Sequence, residues 1–257
     1  MRKANLGGEA PSLQAIIHSY QGVKANVPRG TVLVTNPLTA AGLSALLSEV
    51  GISLPAGAAS LLVRHAGEML RWNRSIRLTA ITAPEEVAIK HILDSLLLLS
   101  FAPFPGRTLD FGSGAGYPGI PLAAALPDAH VVLVESSAKK CAFLSHTCTL
   151  LGLRNAEVVR GRLEPRRPLP LGRFEQIVTR ATRSPQEAAK VLVPYLLPGG
   201  RLLLMTGPGE MVRRPTRGRA VEELPPGARH GARLPFTLPH GMGVREIREI
   251  RLAGDAT

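Results

Sequence analysis

The stretch Leu109-Asp110-Phe111-Gly112-Ser113-Gly114-Ala115-Gly116-Tyr117-Pro118-Gly119-Ile120-Pro121 decides how this chain is read. It joins a short apolar run to a helical pattern through four glycines, Gly112, Gly114, Gly116 and Gly119. Glycine lets the backbone turn sharply and approach a ligand closely, and prolines near a helix start leave no interior N–H unpaired. The turn is therefore expected to expose backbone amides to a cofactor.

Working outward, strand and helix patterns alternate. Strands are expected at 107–111, 130–135, 156–160, 174–179 and 200–205, and helices at 117–125, 137–151 and 184–196; 245–252 alternates as a last strand. Such alternation implies an α/β fold with a mostly parallel, doubly wound sheet covered on both faces, whose ligands bind at the carboxyl ends of the strands. Upstream, helices are expected from Thr39 to Gly51, from Ala58 to Asn73, and from a capping box of Thr82 and Glu85, with Pro84 in the first turn, to just before Pro103. The organisation is then a loose extension at 1–36, an N-terminal helical cap at 37–104 and the sheet domain at 105–257. The Arg-, Pro- and Gly-rich stretch 208–243 reads as a basic loop or insertion.

The chain has 257 residues, enough for one large domain or for one domain plus a small appendage, without disulfides or a metal. Thirty-one Lys and Arg against nineteen Asp and Glu leave a net charge of +12, which suits an anionic partner such as nucleic acid, or simply solubility. Aromatics at 4% do not support a base-stacking platform. No window approaches ~18–20 uninterrupted apolar residues, so no membrane span is expected, and the N-terminus lacks a secretory pattern, which makes the cytoplasm the default address. Cys141 and Cys148 lie on one expected helix about 10 Å apart along its axis, too far for a disulfide. No CxxC or HExxH pattern occurs, and no metal is expected.

Two readings of the glycine turn compete. Residues 114–119 match the dinucleotide pattern GxGxxG, whereas Asp110 to Gly116 matches the (D/E)xGxGxG turn of methyltransferases. Both want an acidic residue at the end of the second strand to receive a ribose, and Glu135 after Val131-Val132-Leu133-Val134 stands there. Asp110 favours the methyltransferase reading, and the resemblance of this turn to class I methyltransferases implies a Rossmann-like, seven-stranded sheet, one strand more than the patterns above. A purely structural turn is the plainer alternative.

These residues resemble the glucose-inhibited division protein B family, ribosomal RNA small subunit (16S) guanine-N7 methyltransferases, from about Leu43 to Gly207. The matching elements are Trp72-Asn73 with Leu78-Thr79, His91-Ile92-Leu93-Asp94-Ser95-Leu96, the glycine turn, Glu135-Ser136 with Lys139-Lys140 and Phe143-Leu144, Arg162 with Glu164, and Arg180-Ala181. The resemblance implies S-adenosyl-L-methionine as cofactor, with Gly112, Gly114 and Tyr117 touching it from the turn. Glu135, Ser136 and Ser137 would receive its ribose, Leu163 and Glu164 would border the adenine, and Arg180 would sit beside the methionine end or the guanine. Lys90, His91 and Arg180 are the candidates for placing the guanine. The implied chemistry is in-line attack of N7 on the sulfonium methyl; N7 carries no proton, so no general base is needed and no catalytic residue is named. The implied partner is ribosomal RNA or a small-subunit precursor, with a monomer as the default.

The chain departs from the family pattern at Arg77, where an Asn is usual, at Lys90 and Leu163, where Arg and Ala are usual, and at Thr206, where Lys is usual. The rival readings are a class I methyltransferase for another substrate, a nicotinamide dehydrogenase, and a non-catalytic RNA-binding protein.

Overall fold

The computed structural model describes residues 37–164, 168–180, 185–207 and 223–254. The extension 1–36 and residues 208–222 of the basic stretch lie outside the described residues. Seven strands form one sheet: β1 (Arg107–Phe111), β2 (His130–Glu135), β3 (Ala156–Arg160), β4 (Phe174–Arg180), β5 (Leu196–Thr206), β6 (Ala228–Thr237) and β7 (Val244–Leu252). Their order is β3-β2-β1-β4-β5-β7-β6. The first five are parallel, and β7 is antiparallel to both β5 and β6.

The sequence dictates this centre. Val131 to Val134 are buried on both sheet faces, as a central parallel strand must be. Val131 and Leu133 belong to one core, and Val132 and Val134 to the other. The first core also takes up α1 (Ala40–Glu49) and α2 (Ala58–Trp72), so the N-terminal helices share one continuous apolar interior with the sheet. Thr39 caps α1, its Oγ1 accepting from the Gly42 N–H at 3.0 Å.

A single helical rod follows: α3 (Pro84–Val87), a π-helical stretch (Ala88–Leu93), α4 (Asp94–Leu96) and a 3-10 turn (Leu97–Phe101). The expected capping box does not form. The N-cap is Ala83, with no side-chain cap, and the Thr79 hydroxyl accepts from the Ile81 N–H instead, so the chain enters the rod through an upstream turn. The helix after β1 is shorter than expected, α5 (Gly119–Ala125), because residues 114–118 are spent in the turn. α6 (Ala138–Leu151) ends on Gly152 in the left-handed region, and α7 (Pro185–Leu192) covers the other face. Cys141 and Cys148 are free and buried.

The larger correction concerns 208–243. Part of the expected loop, Ala228–Thr237, is the edge strand β6. Of its ten residues only Phe236 is buried, so it carries no apolar alternation, and the ladder with β7 holds it. β5 likewise begins at Leu196, four residues before the expected start.

Candidate active site at the switch point of the sheet

Connections run from β1 toward β2 on one side and return to β4 on the other, so the crevice outside the carboxyl ends of β1 and β4 is the switch point where ligands of such sheets bind. The glycine turn leaves β1 there and Arg180 closes β4 there. Gly112, Gly114 and Gly116 all have positive φ (77°, 57° and 86°), which only glycine adopts without strain. Gly112 and Ser113 donate their N–H groups to Val134 O, which ties the turn to the end of β2. Gly119 is required for space: a Cβ there would lie 2.1 Å from Leu133 Cδ2 and 2.6 Å from Asp110 Oδ2.

Two carboxylates organise the turn. Asp110 is fully buried and accepts from the Gly119 N–H at 3.0 Å; burial pushes its pKa up to about 7, against the pull of the Ser113 and Gly119 hydrogen bonds. Glu135, 8% exposed, accepts from the Gly114 N–H at 3.1 Å, the Ser137 N–H at 2.8 Å and the Ser136 hydroxyl at 3.3 Å. Its carboxylate therefore links the glycine turn to the start of α6. Leu163 is buried just beyond β3 and Glu164 beside it is exposed.

Tyr117 is the centre of a ring stack rather than an exposed side chain. His91 lies parallel to it at 4.6 Å between centroids, His65 is tilted against it at 4.5 Å, and the Arg180 guanidinium stands 5.6 Å over the ring. His65 Nε2 donates to Ala115 O at 2.8 Å, inside the glycine turn. Burial holds both imidazoles uncharged at neutral pH, His65 at about 4 and His91 at about 3, the latter helped by Arg180. The Tyr117 hydroxyl is buried with no partner among the described protein atoms.

The three residues expected to place a guanine differ in their surroundings. His91 is buried, and its Nε2 shares a 2.8 Å hydrogen bond with Thr79 Oγ1, so it supports Tyr117 and does not face a base. The half-buried Lys90 pairs with Glu86 along the rod. Arg180 is half-buried at the strand end, donating to Lys90 O at 3.1 Å with Asp94 at 3.7 Å. Burial raises the Asp94 pKa, and Arg180 and Arg245 counter that shift.

Sequence reading gave no role to Asn73, yet its side chain builds the support. Asn73 Oδ1 accepts from the Leu78 and Thr79 N–H groups at 2.8 and 3.1 Å, and Nδ2 donates to Thr79 O at 3.0 Å. Thr79 then holds His91. Among the departures, Arg77 is exposed, while Thr206 is buried with its hydroxyl donating to Glu246 O at 3.0 Å. Among the described residues, no group of three His, Cys, Asp or Glu converges as a metal site, and no helix is long and apolar enough to cross a membrane.

The arrangement suits S-adenosylmethionine. Glu135 could accept from a diol, and the turn could allow close backbone approach at Gly112 and Gly114. Leu163 could form an apolar wall, and Arg180 could meet a carboxylate. A Klebsiella pneumoniae protein solved under the name of a putative O-methyltransferase shares the fold, with a TM-score of 0.54 at 16% identity over 81% of this chain and 94% of that one. Ribosomal RNA small subunit methyltransferase G of Geotalea uraniireducens is 38% identical over 192 residues, 75% of this chain and 87% of the relative. The protein of the same name from Anaeromyxobacter dehalogenans is 44% identical over 166 residues, covering 64% and 77%. The family model of rRNA small subunit methyltransferase G (GidB) matches residues 58–213. With this sheet order, this glycine turn and these relatives, the chain belongs to the rRNA small subunit methyltransferase G family.

Proposed function

We propose that the protein is an S-adenosylmethionine-dependent methyltransferase that modifies N7 of a guanine in 16S ribosomal RNA, as a monomer in the cytoplasm. The observation that carries this is the meeting, at one switch point, of the positive-φ glycine turn, the Glu135 carboxylate that its Gly114 N–H reaches, and the Arg180 guanidinium. Gly112, Gly114 and Tyr117 form the floor of the cofactor site. Glu135, Ser136 and Ser137 receive the ribose, and Leu163 and Glu164 border the adenine. Arg180 meets the carboxylate of the methionine end or the guanine.

The bound cofactor supplies an activated methyl group. The chain's part is placement: N7 of guanine is an unprotonated lone pair, so no proton has to be removed and alignment sets the rate. The neutral His65 and His91 keep further positive charge away from a site that must accept a cationic cofactor. Lys90 and Arg180 donate toward guanine O6 or a phosphate, and the chain's +12 charge supports an RNA substrate. The test is transfer of labelled methyl from S-adenosylmethionine to 16S RNA taken from cells without this gene, with nucleosides mapped by mass spectrometry. A single new N7-methylguanosine supports the reading; label on another base or on protein replaces it.

A further inference from the structure

The rod that carries Lys90, His91 and Asp94 is irregular where it faces Arg180. The Asp94 N–H reaches back to Ile89 O and His91 O, not to Lys90 O, the acceptor that an α-helix gives it. The Lys90 carbonyl instead accepts from Arg180 Nη1 at 3.1 Å. Asp94, whose side chain is 4% exposed, lies 3.7 Å from the same Nη1 and 3.4 Å from Arg245 Nε at the start of β7. Ser95 Oγ takes up His91 O at 2.6 Å. One short length of helix thus presents a carbonyl and a carboxylate to one guanidinium, which stands over Tyr117.

A buried carboxylate is retained at a cost in desolvation, and two arginines from different strands share this one. An arginine stem is flexible, and a guanidinium placed in advance need not be ordered when its ligand arrives. We propose that Asp94 is a positioning residue, which together with the Lys90 carbonyl freed by the π-turn fixes the Arg180 guanidinium over Tyr117 before any ligand binds. The consequence for catalysis rests on the reading of Arg180 as a ligand contact; the geometric claim does not.

Side-chain 15N NMR on the arginine-labelled full chain, with Arg180 assigned through Arg180→Lys, reads that geometry without cofactor or RNA. The expected result is slow rotation of the Arg180 guanidinium in the wild-type chain and fast rotation in Asp94→Asn. Fast rotation in the wild type overturns the proposal even if the variant does not fold, as does an unchanged slow signal in Asp94→Asn. The kinetic arm is a cycle of Asp94→Asn and Arg180→Ala on kcat/KM for RNA, normalised to folded protein. Asp94→Asn is expected to cost about 10- to 100-fold alone and little in the Arg180→Ala background. Equal losses in both backgrounds mean that Asp94 does not act through Arg180 and overturn the proposal. A wild-type chain that methylates no RNA rejects the functional reading, and the NMR result still decides the positioning claim.

Discussion

His91 and Tyr117 lie ring on ring, 4.6 Å apart and 15° from parallel, and burial keeps the imidazole of this stack uncharged at neutral pH. The folded chain lowers the His91 pKa from 6.5 to about 3, mainly by burial, whereas the unfolded chain takes up the proton near 6.5. The stability tied to the neutral ring is therefore complete above pH 6.5 and is lost as pH falls toward 3. Arg180, His65 and Thr79 face the same ring. The stability difference between wild type and His91→Phe, read by urea unfolding, is expected to shrink from pH 7.5 to pH 5. A difference that does not change with pH contradicts the assignment.

Asp110 behaves in the opposite sense. Its folded pKa is raised to about 7 from 3.8, so the folded state holds the proton more tightly. Its contribution is full below about pH 4 and is lost as pH rises through 7. Asp110→Asn keeps an acceptor for the Gly119 N–H, and it should gain on the wild type between pH 5 and pH 7 and then level off. Parallel stability curves for the two proteins would rule out the shift.

Two glycines of the same turn are required for different reasons, one for space and one for its backbone angle. Gly119→Ala drives a Cβ to 2.1 Å from buried Leu133, and an unfolding loss of about 1–3 kcal/mol is expected. Gly114→Ala meets only Gly112 O at 3.7 Å, so its cost is the strain of φ +57°, about 1 kcal/mol. Thermal unfolding of the pair should show the larger shift for Gly119→Ala, and equal shifts would argue against the packing account.

Asn73→Ala removes three hydrogen bonds to Leu78 and Thr79, and with them the support of Thr79 under His91. A loss of about 1–3 kcal/mol is expected in urea unfolding. Asn73→Asp, which keeps Oδ1 as acceptor for both N–H groups, should restore part of it. No recovery would mean that the loop is held by other contacts.

Much of this was legible beforehand because apolar strands buried on both faces leave an unmistakable run, as at Val131 to Val134, and a glycine turn with Glu135 beyond it marks one end of the sheet. β6 was not legible. An edge strand can carry Arg229, Arg233 and Pro235 because solvent satisfies its outer side, so composition alone resembles a loop. The π-turn left no trace in the sequence, since its extra residue is accommodated by tertiary partners, Arg180 above all. Thr79 and Asn73 were visible only as part of a family pattern. Their purpose depends on a turn that brings residues six apart together and then meets a helix twelve residues on. His91 could be named from the sequence only as a candidate for placing the guanine, and its burial against Tyr117 and Thr79 gives it a supporting place instead.

The central claim is that the chain methylates guanine N7 in small-subunit RNA at the switch point where Glu135 and Arg180 stand. Its most direct test is methyl transfer by the wild-type chain and Glu135→Ala, with labelled S-adenosylmethionine and 16S RNA from a gene-null strain. The account predicts one N7-methylguanosine made by the wild type and a rate lower by about 10- to 100-fold in Glu135→Ala, through weaker cofactor binding. No N7-methylguanosine from a wild-type chain that binds the cofactor, or full activity in Glu135→Ala, would contradict it.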